Sequence, residues 1–418
     1  MPFRKIIKRC AISLCLVLPL IGILNLYLSI PAKIMLPSGS SYTCHLNRFT
    51  SLNHNKTLVE ASSSEPALVT TNGTNVKIAS DTEGNYTLCL KLFDKIPLKK
   101  IDVQVSPKIY VQPSGSPIGV KLYTEGVLVV GLSYVQTENG HVYPAKEAGI
   151  KEGDRILAIN GIKLDTTEDM AKDINASGGK VSLKIVRGTQ TMDMTATAVR
   201  GKGSSDYKLG VWVRDSTAGV GTLSFYEPES GRFASLGHAI TDVDTGDILT
   251  VSDGSILNCN ILSVTKGERG TPGELIGSFG SDTIGVIEEN DGLGVYGTLT
   301  NRNDISLSEP VEVATRFQIK EGEATILADV DGKGVQEYKV NIQKVSKDAT
   351  IDNKGIVLKV TDHKLLETTG GIVQGMSGCP ILQDGKFIGA VTHVFVNDPT
   401  RGYGILAENM IDKLYTIS

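Results

Sequence analysis

Short runs of alternating apolar and polar residues, separated by turns rich in Gly, Asp and Asn, fill most of this chain. In residues 201–418 such runs recur at intervals of about 8 to 15 residues with no helix pattern between them, which predicts a β-barrel or a sandwich pair. A late helix is predicted only at Leu406–Tyr415. The pattern therefore indicates a mainly β protein.

The N-terminus breaks this pattern with a continuous apolar stretch that contains no charged residue from Cys10 to Ala32. About 20 apolar residues in a helix cross a hydrocarbon core of about 30 Å. The basic cluster Arg4–Arg9 is expected to stay in the cytoplasm, so residues 1–35 predict a signal-anchor transmembrane helix with an extracytoplasmic domain after it. A cleaved signal peptide is the alternative, but the stretch exceeds the usual apolar core of about 7–15 residues.

Residues 36–105 are rich in Ser, Thr and Asn and hold only short alternating runs. They predict a small β-rich module or a stalk. Cys44 and Cys89 lie in this segment, where an extracytoplasmic location would allow a disulfide, but the sequence alone leaves their pairing open.

Residues 106–200 predict one compact unit of strands with a short amphipathic helix at Glu168–Ala176. The run from Ala148 to Gly161 resembles the most recognisable stretch of PDZ domains, and its Asn-Gly pair is typical of a tight hairpin turn. The resemblance implies a loop whose backbone N–H groups hold the carboxylate of a peptide C-terminus. It assigns this loop to Pro117, Ile118, Gly119 and Val120.

Composition and charge argue against two classes of protein, disordered proteins and nucleic-acid-binding proteins. Hydrophobic residues make up 40% and charged residues 21% of the chain, which excludes a disordered protein. The formal net charge is −4, and the five basic residues before position 36 leave 37 basic against 46 acidic residues in the rest. Such an acidic body argues against a nucleic-acid partner, because nucleic-acid binding requires a basic face.

Two short motifs resemble ligand sites without completing them. Gly292–Gly297 fits the spacing G-x-G-x-x-G, but the residues after it do not predict the helix that a dinucleotide site needs. Asp242–Asp247 lacks the full ligand pattern of a calcium loop and is interpreted as a solvated turn. No cofactor and no metal ion are therefore expected.

Gly375-Met-Ser377-Gly378-Cys-Pro380 is the most informative motif, because it resembles the nucleophile loop of chymotrypsin-like serine proteases. Glycines around Ser377 allow a tight loop to expose its hydroxyl while the N–H groups of Gly375 and Ser377 point at one spot. Such a spot is an oxyanion hole, where removal of one donor costs about 10²–10³ in rate. The sequence therefore predicts a serine nucleophile at Ser377.

A serine nucleophile needs a base, and His238 lies at a predicted strand end upstream of Ser377, in the His-before-Ser order of chymotrypsin. His363 and His393 are alternatives, the first interpreted as exposed and the second as a pocket or core residue. The acid that orients the base stays open at this point. The candidates are Asp362, Asp242 and Asp244.

Four segments together resemble the stage IV sporulation protein B family of sporulation serine peptidases: GTLSFYEP at 221–228, SLGHAITDVD at 235–244, the stretch 361–382, and 389–405. The resemblance implies a double β-barrel peptidase over residues 201–418, preceded by the PDZ domain. By its motif positions it implies a triad of His238, Asp362 and Ser377.

The same resemblance implies self-cleavage near the N-terminal region and cleavage of a membrane-bound regulator. That regulator would restrain an intramembrane protease that activates a late sigma factor, in the space between the forespore and mother-cell membranes. A catalytically inactive PDZ scaffold at the forespore membrane is the alternative of a different class.

Overall fold

The computed structural model describes residues 30–45, 59–61, 69–72, 75–92, 96–303, 305–347 and 351–417, together with Ile21, Leu24 and Tyr27. The predicted transmembrane helix lies almost entirely outside these residues. Among the residues that the structure does describe, no helix has both the length and the apolarity needed to cross a membrane.

The described chain is dominated by strands, which confirms the mainly β prediction. The strands, in chain order, are β1 Lys33–Pro37, β2 Ser41–His45, β3 Val59–Ala61, β4 Val69–Asn72, β5 Asn75–Ala79, β6 Gly84–Leu92, β7 Ile96–Ser106, β8 Tyr110–Pro113, β9 Pro117–Leu132, β10 Val135–Thr137, β11 Gly140–Val142, β12 Arg155–Ile159, β13 Ile162–Lys163, β14 Lys180–Arg187, β15 Gln190–Thr197, β16 Val199–Arg200, β17 Tyr207–Lys208, β18 Val211–Glu227, β19 Arg232–Ser235, β20 Val251–Thr265, β21 Glu274–Asp291, β22 Gly294–Leu299, β23 Val311–Glu312, β24 Gly322–Ala328, β25 Gln336–Val345, β26 Ile356–Val360, β27 Pro380–Gln383, β28 Lys386–Phe395 and β29 Asp398–Leu406. The helices are α1 Pro144–Ala148, α2 Thr167–Ala176, α3 His363–Thr369 and α4 Ala407–Thr416.

An N-terminal module is built from two small sheets, β1-β7-β6-β3 and β2-β5-β4. Alternate residues of its strands, such as Ile34, Leu36, Val76 and Ile78, are fully buried in a shared core. The predicted limit of the membrane anchor at residue 35 is therefore wrong at its last residues, because Lys33–Pro37 form β1 of this module. Cys89 is a free thiol.

The first barrel is a ring of six strands, β9-β20-β21-β22-β19-β18, which closes because β18 also pairs with β9. Its interior is filled by large apolar residues, among them Ile118, Leu223, Phe233 and Ile256. The second barrel closes in the order β24-β25-β26-β29-β28-β27. The two barrels also share a core with α4, in which the Phe225 and Phe387 rings pack edge to face with their centroids 5.1 Å apart.

A separate domain is inserted into the first barrel through two long strands. The end of β9 leaves the barrel and pairs with β12, and the beginning of β18 returns beside it, with Val211 opposite Leu132 and Arg214 opposite Leu128. This inserted domain has its own core around Val127, Ile156 and Leu183, closed by α2. We define it as residues 126–214.

The predicted boundaries of the PDZ unit at residues 106 and 200 are therefore wrong. Pro117–Val120 belong to the first barrel, where Gly119 lies opposite Val220 on one side and Leu257 on the other. Because both backbone edges of this segment are occupied by strands, it has no edge left to bind a peptide. The assignment of carboxylate binding to Pro117, Ile118, Gly119 and Val120 is wrong for the same reason.

Candidate active site

A cleft of about 520 Å³ contains His238, Gly375, Ser377, Thr392 and His393 in its walls. His238 follows β19 of the first barrel, and Ser377 precedes β27 of the second barrel. The structure thus brings together the predicted nucleophile, the predicted base and both predicted oxyanion donors. Much of the remaining wall is apolar and includes Val120, Val220, Leu236, Ile240, Val243, Ile372, Val373 and Val394.

The loop that carries the predicted nucleophile, residues 370–379, is called the Ser377 loop. Gly375 and Gly378 have φ of +93° and +98°, a conformation that favours glycine. A Cβ on Gly378 would overlap the carbonyl oxygen of Thr222, and one on Gly375 would lie 3.0 Å from the Leu275 Cβ. Close packing against the first barrel therefore requires glycine at both positions.

Hydrogen bonds from Thr222 fix two carbonyl groups of this loop. The Thr222 N–H donates to Ser377 O (3.0 Å), and the Thr222 hydroxyl donates to Gly375 O (2.7 Å). Within the described part of the chain, the N–H groups of Gly375 and Ser377 have no hydrogen-bond partner. These are the two donors that an oxyanion hole requires.

The hydroxyl of Ser377 is half-buried and donates a hydrogen bond to the carbonyl oxygen of Thr392 at 2.8 Å. His238 Nδ1 lies 2.8 Å from the carbonyl oxygen of Ala239, so in the neutral ring this nitrogen carries the proton and Nε2 is the acceptor. No direct hydrogen bond joins Ser377 to His238 among the described residues. The side chains are thus in a resting arrangement.

The backbone before His238 is held in an uncommon conformation. Leu236 has a φ of +64°, which is rare for a branched side chain, and Gly237 has a φ of +69°. A Cβ on Gly237 would lie 2.8 Å from the Thr392 Cγ2. This close approach to β28 aims the imidazole of His238 into the cleft. Burial lowers the pKa of His238, and the hydrogen bond to Ala239 opposes that shift only in part.

His393 is a wall residue of the cleft, and its ring centroid lies 5.0 Å from that of His238. Its Nδ1 is buried and has no hydrogen-bond partner within the described part of the chain. Burial, followed by the charges of His238 and Lys354, lowers the pKa of His393 to about 4. His393 is therefore neutral at neutral pH, in the pocket-lining position that the sequence offered as one of two interpretations.

Asp362 does not line the cleft. Its carboxylate caps α3, where Oδ1 accepts a hydrogen bond from the Leu365 N–H (3.1 Å) and Oδ2 one from the Lys339 N–H (3.3 Å). His363, beside it, is exposed as predicted. The structure therefore brings His238 and Ser377 to one cleft and leaves Asp362 at the N-terminus of a neighbouring helix.

The other two acids lie in the His238 loop, residues 236–250. Asp242 is buried and accepts hydrogen bonds from the N–H groups of Asp244 (3.0 Å) and Thr245 (2.9 Å) and from Arg214 Nη1 (2.5 Å). Burial raises the pKa of Asp242, but these donors outweigh it and the net pKa is lowered. The interpretation of this segment as a solvated turn is wrong at Asp242, because Arg214 compensates a buried charge there.

Cys379, next to the nucleophile in sequence, is fully buried, and its thiol lies 3.7 Å from the Thr222 hydroxyl. Burial raises the pKa of this thiol to about 12. It is therefore a packing residue with no thiolate at neutral pH.

A second cavity, of about 710 Å³, lies in the inserted domain between α2 and the beginning of β18. Leu209, Gly210 and Val211 form an aliphatic-Gly-aliphatic turn at its wall, and a Cβ on Gly210 would lie 2.5 Å from the Ser133 carbonyl oxygen. Val211 and Trp212 pair only with β9 among the described strands, so their other backbone edge is open. The sequence analysis missed this turn because it placed the peptide-binding loop at Pro117–Val120, on the N-terminal side of the inserted domain. The segment KLGVWV at 208–213 contains the same aliphatic-Gly-aliphatic pattern and could have indicated it.

Two family models match the chain. The model described as SpoIVB peptidase S55 covers residues 205–411, about half of the chain, and the PDZ domain model covers residues 142–187. The first match contains the His238 loop and the Ser377 loop, and the second lies within the inserted domain. The two-barrel fold, the cleft and the two family matches together define a serine peptidase with an inserted PDZ domain.

This chain belongs to the SpoIVB peptidase S55 family. A Clostridium perfringens protein that carries the provisional name of a zinc metalloprotease is 36% identical over 69 residues, and the match spans only 20% of that relative's length. The active form of the Rv3671c protease from Mycobacterium tuberculosis is 13% identical, with 48% of this chain and 75% of that chain covered and a TM-score of 0.30. Its inactive form is 14% identical, with 48% and 84% covered and a TM-score of 0.28.

Proposed function

We propose that the chain hydrolyses peptide bonds with Ser377 as the nucleophile and His238 as the general base. The observation that carries this proposal is the pair of unpartnered N–H groups on Gly375 and Ser377, beside a serine hydroxyl and a histidine in one cleft. Two such donors stabilise the oxyanion of a tetrahedral intermediate. In this respect the site is chymotrypsin-like, with the base from one barrel and the nucleophile from the other.

In the proposed reaction the Ser377 hydroxyl rotates from the Thr392 carbonyl to His238 Nε2. His238 accepts its proton as Oγ attacks the substrate carbonyl carbon, and the carbonyl oxygen receives hydrogen bonds from Gly375 and Ser377. His238 then donates the proton to the leaving amine. Water repeats the sequence on the acyl-enzyme and regenerates Ser377.

The family resemblance alone assigns Asp362 as the acid that orients His238. In the resting arrangement its carboxylate caps α3 instead, and the hydrogen bond at His238 Nδ1 goes to the Ala239 carbonyl. The proposal retains Asp362 in this role. Asp242 is the competitor, because it lies four residues after the base in the same loop.

We further propose that the substrates are extracytoplasmic proteins and that the chain is anchored in a membrane by its N-terminal apolar stretch. On the family resemblance, they include its own N-terminal region and a membrane-bound regulator of an intramembrane protease in sporulation signalling, in the forespore intermembrane space. The apolar wall of the cleft favours apolar side chains next to the scissile bond.

The PDZ domain is proposed to hold a substrate segment or a regulator in the cavity at α2. The turn at Leu209–Val211 would receive a terminal carboxylate, and the open edge of β18 would pair with the peptide backbone. This replaces the groove predicted at Pro117–Val120.

A chromogenic aryl carbamate, which acylates an activated serine and releases its phenol, tests the peptidase against its rival, an inactive PDZ scaffold. We expect the purified full chain to be acylated on Ser377, and Ser377→Ala to remain unlabelled with an unchanged melting temperature. Peptide mapping locates the modified residue. An unlabelled wild-type chain with the native melting temperature would favour the scaffold.

A further inference from the structure

The peptidase and the PDZ domain share two strands. β9 and β18 pair with each other from Pro117 opposite Thr222, inside the first barrel, to Leu132 opposite Val211, inside the PDZ domain. On β18, residues Thr217–Val220 line the active-site cleft, and Val211–Val213 line the peptide cavity. The same strand therefore touches both sites.

The pairing of β9 with β18 is irregular between the two sites. The register of β18 on β9 shifts between Arg214 and Ser216, where one residue of β18, Asp215, stands against four residues of β9, Thr124–Val127, so the bulge is in β9 beside Asp215. Bulges bend a strand locally and redirect side chains, often next to active sites. The shift thus lies at the point where the strand passes from one domain to the other.

The two residues at this point contact different sites. Arg214 binds the His238 loop through two carboxylates, Asp242 (2.5 Å) and the exposed Asp244 (2.9 Å). The Asp215 carboxylate accepts a hydrogen bond from the Thr167 N–H at 2.7 Å, at the N-terminus of the helix that lines the peptide cavity. One contact reaches the loop of the catalytic base and the other reaches the peptide site.

The His238 loop also rests on the PDZ domain at a second place. Asp247, Ile248 and Leu249 share a cavity of about 250 Å³ with Gly153 and Arg155 of that domain. Apolar contacts hold the two ends of the loop, where Leu236 and Leu249 are buried, whereas Val243 and Ile248 in its turn are 88% and 51% exposed. The turn of the His238 loop, residues 241–248, is therefore held by polar contacts, and those with Arg214 originate in the PDZ domain.

We infer that Arg214 and Asp215 are positioning residues through which a peptide bound in the PDZ cavity moves His238 toward Ser377. The inference rests on the proposed peptidase function. A peptide that pairs with Val211–Val213 adds a strand directly before the bulge, and any change in strand geometry there is transmitted by Arg214 to the His238 loop. The bound state favours the arrangement in which Ser377 donates to His238 Nε2.

The test uses the full chain with two readouts. Trp212 is the single tryptophan and is 67% exposed in the wall of the PDZ cavity, so its fluorescence reports binding there. The rate of Ser377 acylation by the aryl carbamate, measured as released phenol, reports the cleft. The ligands are decapeptides that end in Val, Leu or Phe with a free carboxylate, with their C-terminal amides as controls. We expect acylation to accelerate about fivefold or more at saturation.

Arg214→Ala is expected to lower the maximal acylation rate about tenfold or more, without changing the probe concentration for half-saturation or the peptide affinity. Arg214→Lys should fall between wild type and Arg214→Ala, since lysine cannot bridge two carboxylates with a planar fork. Asp215→Ala should reduce the acceleration by peptide toward onefold.

Arg187→Ala is the matched control, because Arg187 also binds a fully buried carboxylate, that of Asp154, with two hydrogen bonds of 2.6 and 2.7 Å. It should change acylation less than twofold at temperatures where the variant is folded. If Arg214→Ala does not fold, Asp244→Asn removes only the exposed arm of the contact and should give a smaller loss in the same direction.

Absence of acceleration by every peptide, or equal losses in Arg214→Ala and Arg187→Ala, would overturn the inference. A wild-type chain that is never acylated on Ser377 would instead contradict the proposed function. The two failures are thus distinguishable in one set of measurements.

Discussion

The two loops that meet in the cleft are held in different ways. The Ser377 loop is tied by backbone hydrogen bonds to both barrels, including Gly378 N–H to Val391 O (2.7 Å) and Thr222 N–H to Ser377 O (3.0 Å). Met376 and Cys379 of this loop are fully buried. The proposed nucleophile and its proposed oxyanion donors are therefore held in place by the core.

The ends of the His238 loop are buried at Leu236 and Leu249, but the side chains of Asn290 and Arg214 tie the loop to the rest of the protein. The side-chain amide of Asn290 bonds the backbone of Ile240 and Leu249, near the two ends of the loop. Arg214 bonds Asp242 in the turn between them. Such contacts can be rearranged without disturbing a hydrophobic core. We therefore expect activity to be adjusted at the proposed base and not at the proposed nucleophile, and the following predictions test this contrast.

The largest expected effect concerns the orienting acid. Asp362→Asn should reduce acylation by as much as about 10⁴, since an orienting acid fixes the tautomer of the base. Asp242→Asn should reduce it less. Acylation rates of both variants, measured at equal folded fraction, give the ranking. The reverse order would transfer the role to the His238 loop and assign the Asp362 carboxylate to capping of α3 alone.

Gly378→Ala tests the preformed loop. The added Cβ would overlap the Thr222 carbonyl oxygen, so the loop must shift, and we expect acylation to fall by about 10²–10³ as the oxyanion donors move. The expected loss of stability is about 3 kcal/mol, from the clash together with a φ of +98°. Urea unfolding and acylation rates measure the two effects.

Gly385→Ala is the control for this prediction. It has a φ of +73° but no heavy atom within 4 Å of an added Cβ, so it isolates the conformational cost, about 1 kcal/mol. Similar losses of acylation in both variants would show that close packing against the first barrel does not hold the oxyanion donors.

The sequence predicted the parts of this site that depend on local backbone chemistry. Gly375, Ser377 and Gly378 form a loop whose glycines are required within a few residues of the nucleophile, so the motif carries its own geometry. The PDZ fold and the late helix were predicted from similarly local patterns. Both predictions are confirmed.

Pairing between distant strands could not be read from the sequence in the same way. Pro117–Val120 have the composition of a peptide-binding turn, but their neighbours Val220 and Leu257 are about 100 residues or more away in sequence, and pairing with them occupies both edges. Asp242 fits a solvated turn until Arg214 is placed beside it by the inserted domain. Insertion of one domain into a barrel has no local signature in β9 or β18.

The smallest expected effect is the pH dependence of the two histidines. Burial lowers the pKa of His238, and acylation requires its neutral form, so the rising limb of the acylation profile should have its midpoint below 6.5. His393 takes up its proton at about pH 4 in the folded chain but at about 6.5 when unfolded. Proton uptake by the unfolded state should therefore lower stability as the pH falls from about 6.5 toward 4. Urea unfolding of wild type and His393→Gln across this range should show a shallower decline of the unfolding free energy in the variant. Acylation rates from pH 4.5 to 8 locate the midpoint for His238. A midpoint above 6.5 would contradict the resting arrangement, because it would require a carboxylate already in contact with His238 in the free enzyme.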